Sequence, residues 1–111
     1  MAKSLLPSLR EKKRYIAFEI TGAKKNPSSV ARVIEKSLRS LVGDQGMGRT
    51  GYYFVNDTFT GNKGTFKVSN TAVDSSRAAL SLITEVDNEQ VIVRSLGVSG
   101  ILKKAKKYIA G

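Results

Sequence analysis

The chain has 111 residues, 41% of them hydrophobic, and its 19 Lys and Arg against nine Asp and Glu give a net charge of +10. This length predicts a single domain over residues 1–111, and the excess of positive charge is typical of proteins that bind nucleic acids. The chain contains no Cys and no His, which excludes a disulfide framework, a Cys- or His-ligated zinc site and a His-based catalytic base.

The first predicted strand covers residues 14–21, after a Pro-containing turn and a short helix or turn near residues 5–13. Ile16, Phe18 and Ile20 lie on one side of this strand, and a period of two is typical of a strand with one buried face. The segment therefore predicts a strand that contributes three side chains to the core.

The first long helix is predicted to begin at Asn26-Pro27. Asn is a favoured N-cap, and Pro at the first helical position loses no hydrogen bond because its amide would be unpaired there. Apolar residues follow at helical spacing as far as Val42, and Gly43 is a suitable C-cap. These features predict an amphipathic helix over residues 27–42.

The segment GDQGMGRTG, residues 43–51, contains four glycines and predicts a flexible loop. It lacks the Lys-Ser/Thr ending of a phosphate-binding loop and precedes a strand, so it does not match that motif. We interpret it as a connection, with contact between Arg49 and RNA phosphate as the alternative. Two strands follow, which begin near Tyr52 and Gly64 and are joined by a tight turn over residues 60–64.

The remaining predicted elements are a helix, a strand and a helix. Asn70 can cap the second helix, Asp87-Asn88 marks a turn before the fourth strand, and Ser99 can cap the last helix. The order βαββαβ predicts an α/β (α+β) ferredoxin-like two-layer sandwich that resembles an RNA-recognition motif. We expect an antiparallel four-stranded sheet with two helices on one face, and extra N- and C-terminal helices.

Positive charge is concentrated at the two ends of the chain. Residues 1–14 carry a net charge of +4 and residues 100–111 another +4, which leaves +2 for the centre. Lys and Arg neutralise phosphates and release counterions, largely independently of the nucleotide sequence. The predicted RNA-binding residues are the basic side chains of both ends together with one from the glycine-rich segment: Arg10, Lys12, Lys13, Arg14, Arg49, Lys103, Lys104, Lys106 and Lys107.

Base stacking on the sheet, as in RNA-recognition motifs, is not expected. The third strand departs from the aromatic pattern of those domains, and only Phe66 and Tyr15 could serve. The apolar stripes of the terminal helices need a surface to bury against, and we predict that they cover this face of the sheet.

No catalytic or metal-binding residues are predicted, because the carboxylates are scattered and no nucleophile has an evident activating base. Acylphosphatases share the predicted fold, but the loop Gly22 to Lys25 lacks the Arg that those enzymes need after the first strand. A small phosphatase and a basic helix on an anionic membrane are the remaining alternatives. The lack of Cys and of an apolar N-terminal segment favours a cytoplasmic location.

Several stretches resemble the ribonuclease P protein component 2 family. Leu6 to Phe18 (LPSLREKKRYIAF) is similar to the opening of the family, and Ser76 to Leu80 (SRAAL) is similar to its second helix. Val93 to Gly100 (VRSLGVSG) contains its Gly-x-Ser-Gly signature, and the basic tail agrees in character. The resemblance covers essentially the whole chain, although Ile101-Leu102 replace the Thr-Ile or similar pair of many members.

The resemblance implies a protein subunit of the ribonucleoprotein that removes the 5′ leader from precursor tRNA. In such particles the RNA subunit is the catalyst and uses divalent metal ions, so no cofactor is expected on this chain. The implied partners are ribonuclease P RNA, precursor tRNA indirectly, and the TIM-barrel-like protein component 3, with two copies of each protein in a heterotetramer. A generic RNA-binding or ribosome-associated protein of the same fold is the alternative.

A protein partner needs an apolar surface besides the basic one. Tyr52, Tyr53, Phe54 and Val55 open the second predicted strand, which lies at an edge of the sheet in this topology. We predict that this row contacts the protein partner. The alternative is that Tyr52 and Phe54 belong to the core.

Overall fold

The computed structural model of the protein describes residues 12–22 and 26–110. Arg10 and most of the predicted N-terminal helix or turn lie outside these ranges. The elements are, in chain order, β1 (Lys13–Thr21), α1 (Pro27–Thr50), β2 (Tyr53–Thr60), β3 (Lys63–Ser69), a 3₁₀ turn (Asn70–Ala72), α2 (Val73–Leu82), β4 (Glu85–Val86), β5 (Glu89–Gln90), β6 (Ile92–Ser99) and α3 (Leu102–Ala110).

Four strands form the main sheet, in the order β2-β3-β1-β6. Every pairing in this sheet is antiparallel. The predicted α/β fold with an antiparallel four-stranded sheet is therefore confirmed, and β1 lies between β3 and β6. Because β1 and β6 are neighbours, the segments that flank them, from opposite ends of the chain, are brought together.

The core lies between one face of this sheet and helices α1 and α2. Ile16, Phe18 and Ile20 are buried there, as their alternation predicts. Phe18 packs among three further rings, with centroid distances of 6.0 Å to Phe54, 6.4 Å to Phe59 and 5.9 Å to Phe66. Further side chains of this core come from α1 (Val30 and Ile34), α2 (Leu80) and β6 (Val93).

Helix α1 begins as predicted, and its first part ends at Gly43 as predicted, but a second helical part follows. The Asn26 side chain accepts a hydrogen bond of 2.8 Å from the Ser29 amide. Gly43 (φ 78°, ψ 170°) interrupts the helical backbone, but helical turns resume and run to Thr50, where Gly51 (φ 65°) is the C-cap. The prediction of a flexible loop over residues 43–51 is therefore wrong.

Tertiary contacts explain the additional helical turns. Met47 is buried with Leu38 and Ala79 in a small second cluster. The Thr50 hydroxyl donates to the Met47 carbonyl at 2.8 Å and accepts from the Tyr52 amide at 3.2 Å. These contacts stabilise a helix that its glycines disfavour, since most helical stability in proteins comes from packing.

Two predicted tight turns are confirmed. Gly61 (φ 65°) lies in the two-residue connection between β2 and β3. Asp87 (φ 53°) and Asn88 (φ 66°) connect β4 to β5, a short hairpin that the sequence analysis did not predict. Asp and Asn tolerate this left-handed backbone better than most residues, which makes them suitable for the turn.

The prediction that Asn70 caps the second helix is wrong. Asn70 begins the 3₁₀ turn, and neither this turn nor α2 has a side-chain cap. The Asn70 amide instead donates a 2.7 Å hydrogen bond to the Lys12 carbonyl. The contact holds the start of β1 against the end of β3, which matters for the site described below.

The second face of the sheet, called here the outer face, is partly covered by α3. Ser99 is predicted to cap this helix, but its hydroxyl accepts a 3.1 Å hydrogen bond from the Ile101 amide, which precedes the helix start at Leu102. The Ile101 carbonyl accepts the first helical hydrogen bonds, so Ser99 stabilises the turn into α3 instead of capping its first turn. The helix packs over β1, β6 and β3, and Ala105 and Ala17 are fully buried. The predicted covering of this face is confirmed for the area under α3. None of the described helices is long and apolar enough to cross a membrane.

Candidate RNA interface

The basic residues at the start of β1 lie at one end of the sheet. Lys13 is opposite Ser69, the last residue of β3. Lys12 and Lys13 are exposed, and Arg14 is partly buried. Because the Lys12 carbonyl is bound by the 3₁₀ turn after β3, the backbone that carries these cations has a defined position.

Arg49 reaches the same end of the sheet from the last turn of α1. Its carbonyl accepts a 3.4 Å hydrogen bond from the Ser69 hydroxyl. A Cβ built on the neighbouring Gly51 would lie 3.4 Å from Lys13 Nζ. Lys12, Lys13, Arg14 and Arg49 therefore form one group, called here the basic pole.

Helix α3 begins beside the basic pole. A Cβ built on Gly100 would lie 3.3 Å from Arg14 Nη1, and α3 starts two residues later. Its first turn carries Lys103 and Lys104, and its second turn carries two more exposed lysines, Lys106 and Lys107. The topology thus joins the described basic residues of both chain ends into one surface.

The described part of the chain places no acid against the charges of this surface. Within the described residues, no carboxylate oxygen lies within 4.0 Å of a cationic nitrogen of the basic pole or of the α3 lysines, whereas ion pairs are found elsewhere. Arg39 binds Glu35 and Asp44 at 3.0 Å, and Arg94 binds Glu19 at 2.9 Å. Free cations on adjacent elements are suited to bind a chain of phosphates.

The structure gives no indication of a catalytic centre in the described ranges. Among residues 12–22 and 26–110, no three acidic residues come together in a way that could hold a metal ion. The arrangement of cations can bind and orient a polyanion.

The predicted row of partner residues divides between the core and the surface. Phe54 is buried, and the Tyr52 hydroxyl donates a 2.9 Å hydrogen bond to the Ala31 carbonyl. Burial, followed by the nearby Glu35 carboxylate, raises the pKa of Tyr52 far above its usual value, so that the hydroxyl remains a donor. Tyr53 is exposed and Val55 is partly buried. Contact between this row and a protein partner stays a prediction.

Two features of this site were not predicted. Lys67, which lies opposite both Tyr15 and Tyr53 on the outer face, is not among the predicted RNA-binding residues. The alternation of side chains along β3 could have indicated that Lys67 points to the outer face. Which residues lie opposite Lys67, however, depends on the register of the strands. The second feature is the structural role of Gly97, since the Tyr108 ring of α3 rests directly on this glycine.

Gly97 is expected to determine how closely α3 packs on the sheet. A Cβ built on Gly97 would lie only 2.5 Å from the Tyr108 ring. Gly97→Ala is therefore expected to displace the ring and lower the free energy of unfolding by about 1–3 kcal/mol, the usual effect of overpacking. Chemical denaturation followed by circular dichroism measures this change.

The double variant Gly97→Ala/Tyr108→Ala provides the control. Removing the ring removes the obstacle, so Gly97→Ala should cost less stability in the Tyr108→Ala background than in the wild type. An equal cost in both backgrounds would show that the ring contact is not what requires glycine.

The sequence is similar to those of known proteins. The sequence profile of the Rpp14/Pop5 family matches residues 14–110. Ribonuclease P protein component 2 of Thermococcus kodakarensis is 34% identical over 110 residues, which cover 97% of this chain and 92% of the relative. The protein of the same name from Archaeoglobus fulgidus is 38% identical over 109 residues, which cover 96% and 97% of the two chains.

A solved structure shows the same fold. A chain in the cryo-EM structure of yeast ribonuclease MRP superposes with a TM-score of 0.66 and covers 90% of this chain and 87% of that chain. The two sequences are only 14% identical, so this likeness supports the arrangement of helices and strands rather than the role of particular residues.

Proposed function

Because this chain belongs to the Rpp14/Pop5 family, we propose that it works as a protein subunit of ribonuclease P, the ribonucleoprotein that removes the 5′ leader from precursor tRNA. It acts within the holoenzyme and is not a catalyst by itself. Its task is to bind the catalytic RNA and support the active form of that RNA.

The basic surface is the observation that carries this proposal. Residues from opposite ends of the sequence meet where β1 and β6 pair, and the last turn of α1 adds Arg49. Multiple cations on a folded surface lower the repulsion between RNA segments and release counterions. Such a surface is suited to stabilise a folded RNA, whose phosphates otherwise repel one another.

The chemistry of cleavage is assigned to the RNA. We propose that divalent metal ions act there and that this chain holds no cofactor of its own. The chain would lower the concentration of magnesium that the RNA needs, because protein cations and metal ions both neutralise phosphates.

The proposal includes a protein partner. Its resemblance to the component 2 family implies that the chain works with ribonuclease P protein component 3, as two copies of each in a heterotetramer, with precursor tRNA as an indirect partner. A cytoplasmic location belongs to the same proposal. Val55 and Tyr53, on the edge strand β2, are the members of the predicted row that are accessible to another molecule.

Reconstitution tests the proposed function. The chain, its cognate ribonuclease P RNA and component 3 are combined, and cleavage of precursor tRNA is measured at limiting magnesium. We expect cleavage to depend on this chain in the presence of the RNA and to be absent with the chain alone. If omission of the chain changes nothing, or if it binds unrelated folded RNAs equally well, the generic RNA-binding alternative is correct.

Charge variants make the experiment specific for the basic pole. Replacing Lys12, Lys13 and Arg49 with glutamine should raise the magnesium concentration needed for cleavage. The matched control replaces Arg32, Lys36 and Arg77, three exposed cations on α1 and α2, and should leave that requirement close to wild type. Equal effects of the two triple variants would show that only total charge matters.

A further inference from the structure

Helix α3 leaves the β2 side of the outer face accessible. The helix packs over β1, β6 and β3, with the Tyr108 ring on Gly97 of β6. On the opposite side of the sheet lies the edge strand β2, where Tyr53 is 60% exposed. A large aromatic ring that is exposed on an edge strand is a candidate for contact with another molecule.

Tyr53 belongs to a row of three side chains across the outer face. Lys67 of β3 is opposite Tyr53 on one side and opposite Tyr15 of β1 on the other. The Lys67 ammonium lies 5.2 Å from the centroid of the Tyr53 ring, a distance typical of a cation–π contact. We call Tyr53, Lys67 and Tyr15 the tyrosine row.

The surroundings of the tyrosine row favour an anionic ligand. Glu19, the carboxylate that β1 presents on the outer face, is bound by Arg94 through two hydrogen bonds of 2.9 and 3.1 Å. On α3, Tyr108 points toward β6. Helical geometry, at about 100° per residue, therefore places Lys106 on the opposite flank of the helix, on the side of β3.

We propose that the tyrosine row binds an unpaired RNA nucleotide, with its base stacked on the Tyr53 ring and its phosphates beside Lys67 and the flank of α3. Any base has a flat π surface that can stack on an aromatic ring, so this binding tolerates different sequences. The inference rests on the proposed RNA-binding function. It concerns a different surface from the basic pole, and it concerns an unpaired nucleotide instead of the phosphates of folded RNA.

The sequence assigned Tyr53 to the row that contacts a protein partner, but charge and composition favour RNA over a protein at this residue. The row has one cation, Lys67, and Lys106 lies on the flank of α3, whereas the next outward-facing residue of β2 in the described ladder is Val55. A protein-binding surface is usually richer in apolar contact area at its centre. Stacking platforms for single-stranded RNA combine aromatic rings with cations, as this row does.

Binding assays with single-stranded and paired RNA test the inference. The probes are a short fluorescein-labelled oligouridylate and an RNA duplex of the same length, titrated with the full chain and followed by anisotropy. Tyr53→Ala should weaken binding of the oligouridylate by about five- to a hundredfold, the usual effect of losing one stacked base. Binding of the duplex should stay close to wild type, because its bases are not free to stack.

Three further variants separate stacking from charge and from folding. Tyr53→Phe keeps the ring and should bind like the wild type. Lys67→Gln should lower the slope of log affinity against log salt by about one, whereas Tyr53→Ala should leave this slope unchanged. Leu82→Ala is the matched control, since Leu82 is a large exposed side chain (56%) at the end of α2, away from the outer face. Circular dichroism verifies that each variant is folded.

The outcomes distinguish this inference from the proposed function. If Tyr53→Ala binds oligouridylate as tightly as wild type while the basic-pole variants weaken RNA binding, the proposed function stands and the inference is wrong. The inference is also wrong if Tyr53→Ala weakens duplex binding equally, or if it releases component 3 without changing RNA affinity. If the wild-type chain binds neither ribonuclease P RNA nor oligouridylate, both proposals fail.

Discussion

Replacing Lys103, Lys104, Lys106 and Lys107 together with glutamine is expected to weaken binding of ribonuclease P RNA and to reduce its dependence on salt. These four lysines are exposed on α3 and lie beside the basic pole. Each phosphate contact contributes about 0.7–0.9 to the slope of log affinity against log salt. Loss of all four contacts should therefore lower this slope by up to about 3.6 units, which a titration series between low and moderate salt measures.

Two results would contradict this role of α3. The first is an unchanged slope in the quadruple variant, which would show that the lysines face solvent in the complex. The second is an equal change in the control that removes Arg32, Lys36 and Arg77, exposed cations of the helical layer. We expect the quadruple variant to remain folded, because the apolar side of α3, with Ala105 fully buried, is unaltered.

Phe18→Ala is expected to cause the largest loss of stability of any single substitution considered. Phe18 is fully buried, and its ring contacts the rings of Phe54, Phe59 and Phe66. Truncation of a buried Phe costs about 3–5 kcal/mol. Small domains have a total stability of about 5–15 kcal/mol, so a substantial fraction of the variant should be unfolded at elevated temperature.

Chemical denaturation and thermal unfolding measure this effect. The control is Tyr53→Ala, which removes an aromatic side chain of similar size from the exposed outer face and should change the unfolding midpoint little. If Phe18→Ala unfolds at the same denaturant concentration as the wild type, the aromatic cluster does not stabilise the fold in the way that its packing indicates.

Features of the fold that depend on neighbouring residues could be predicted from the sequence. The Asn26 cap and the Asp87-Asn88 turn are each formed within a few residues of backbone. Alternation in β1 identified its buried face because side chains in a strand point to opposite sides. The βαββαβ order followed from these local elements.

Errors arose where distant contacts decide the backbone. The helical turns after Gly43 are stabilised by the burial of Met47 and by the hydrogen bonds of Thr50, which no local pattern reveals. Asn70 has the chemistry of a helix cap, but its amide pairs with the Lys12 carbonyl instead. Local propensity is a weak preference that such contacts outweigh.

The sequence by itself determined most of the helices and strands, the excess of positive charge and the family resemblance, because these depend on residue type and order. Only the tertiary structure decided which cations act together. Pairing of β1 with β6 brings Arg14 beside Gly100 and the start of α3, and strand register places Lys67 between Tyr15 and Tyr53. The physical reason is that charge and stacking act through distances of a few ångströms, and distances between remote residues are determined by strand pairing and packing.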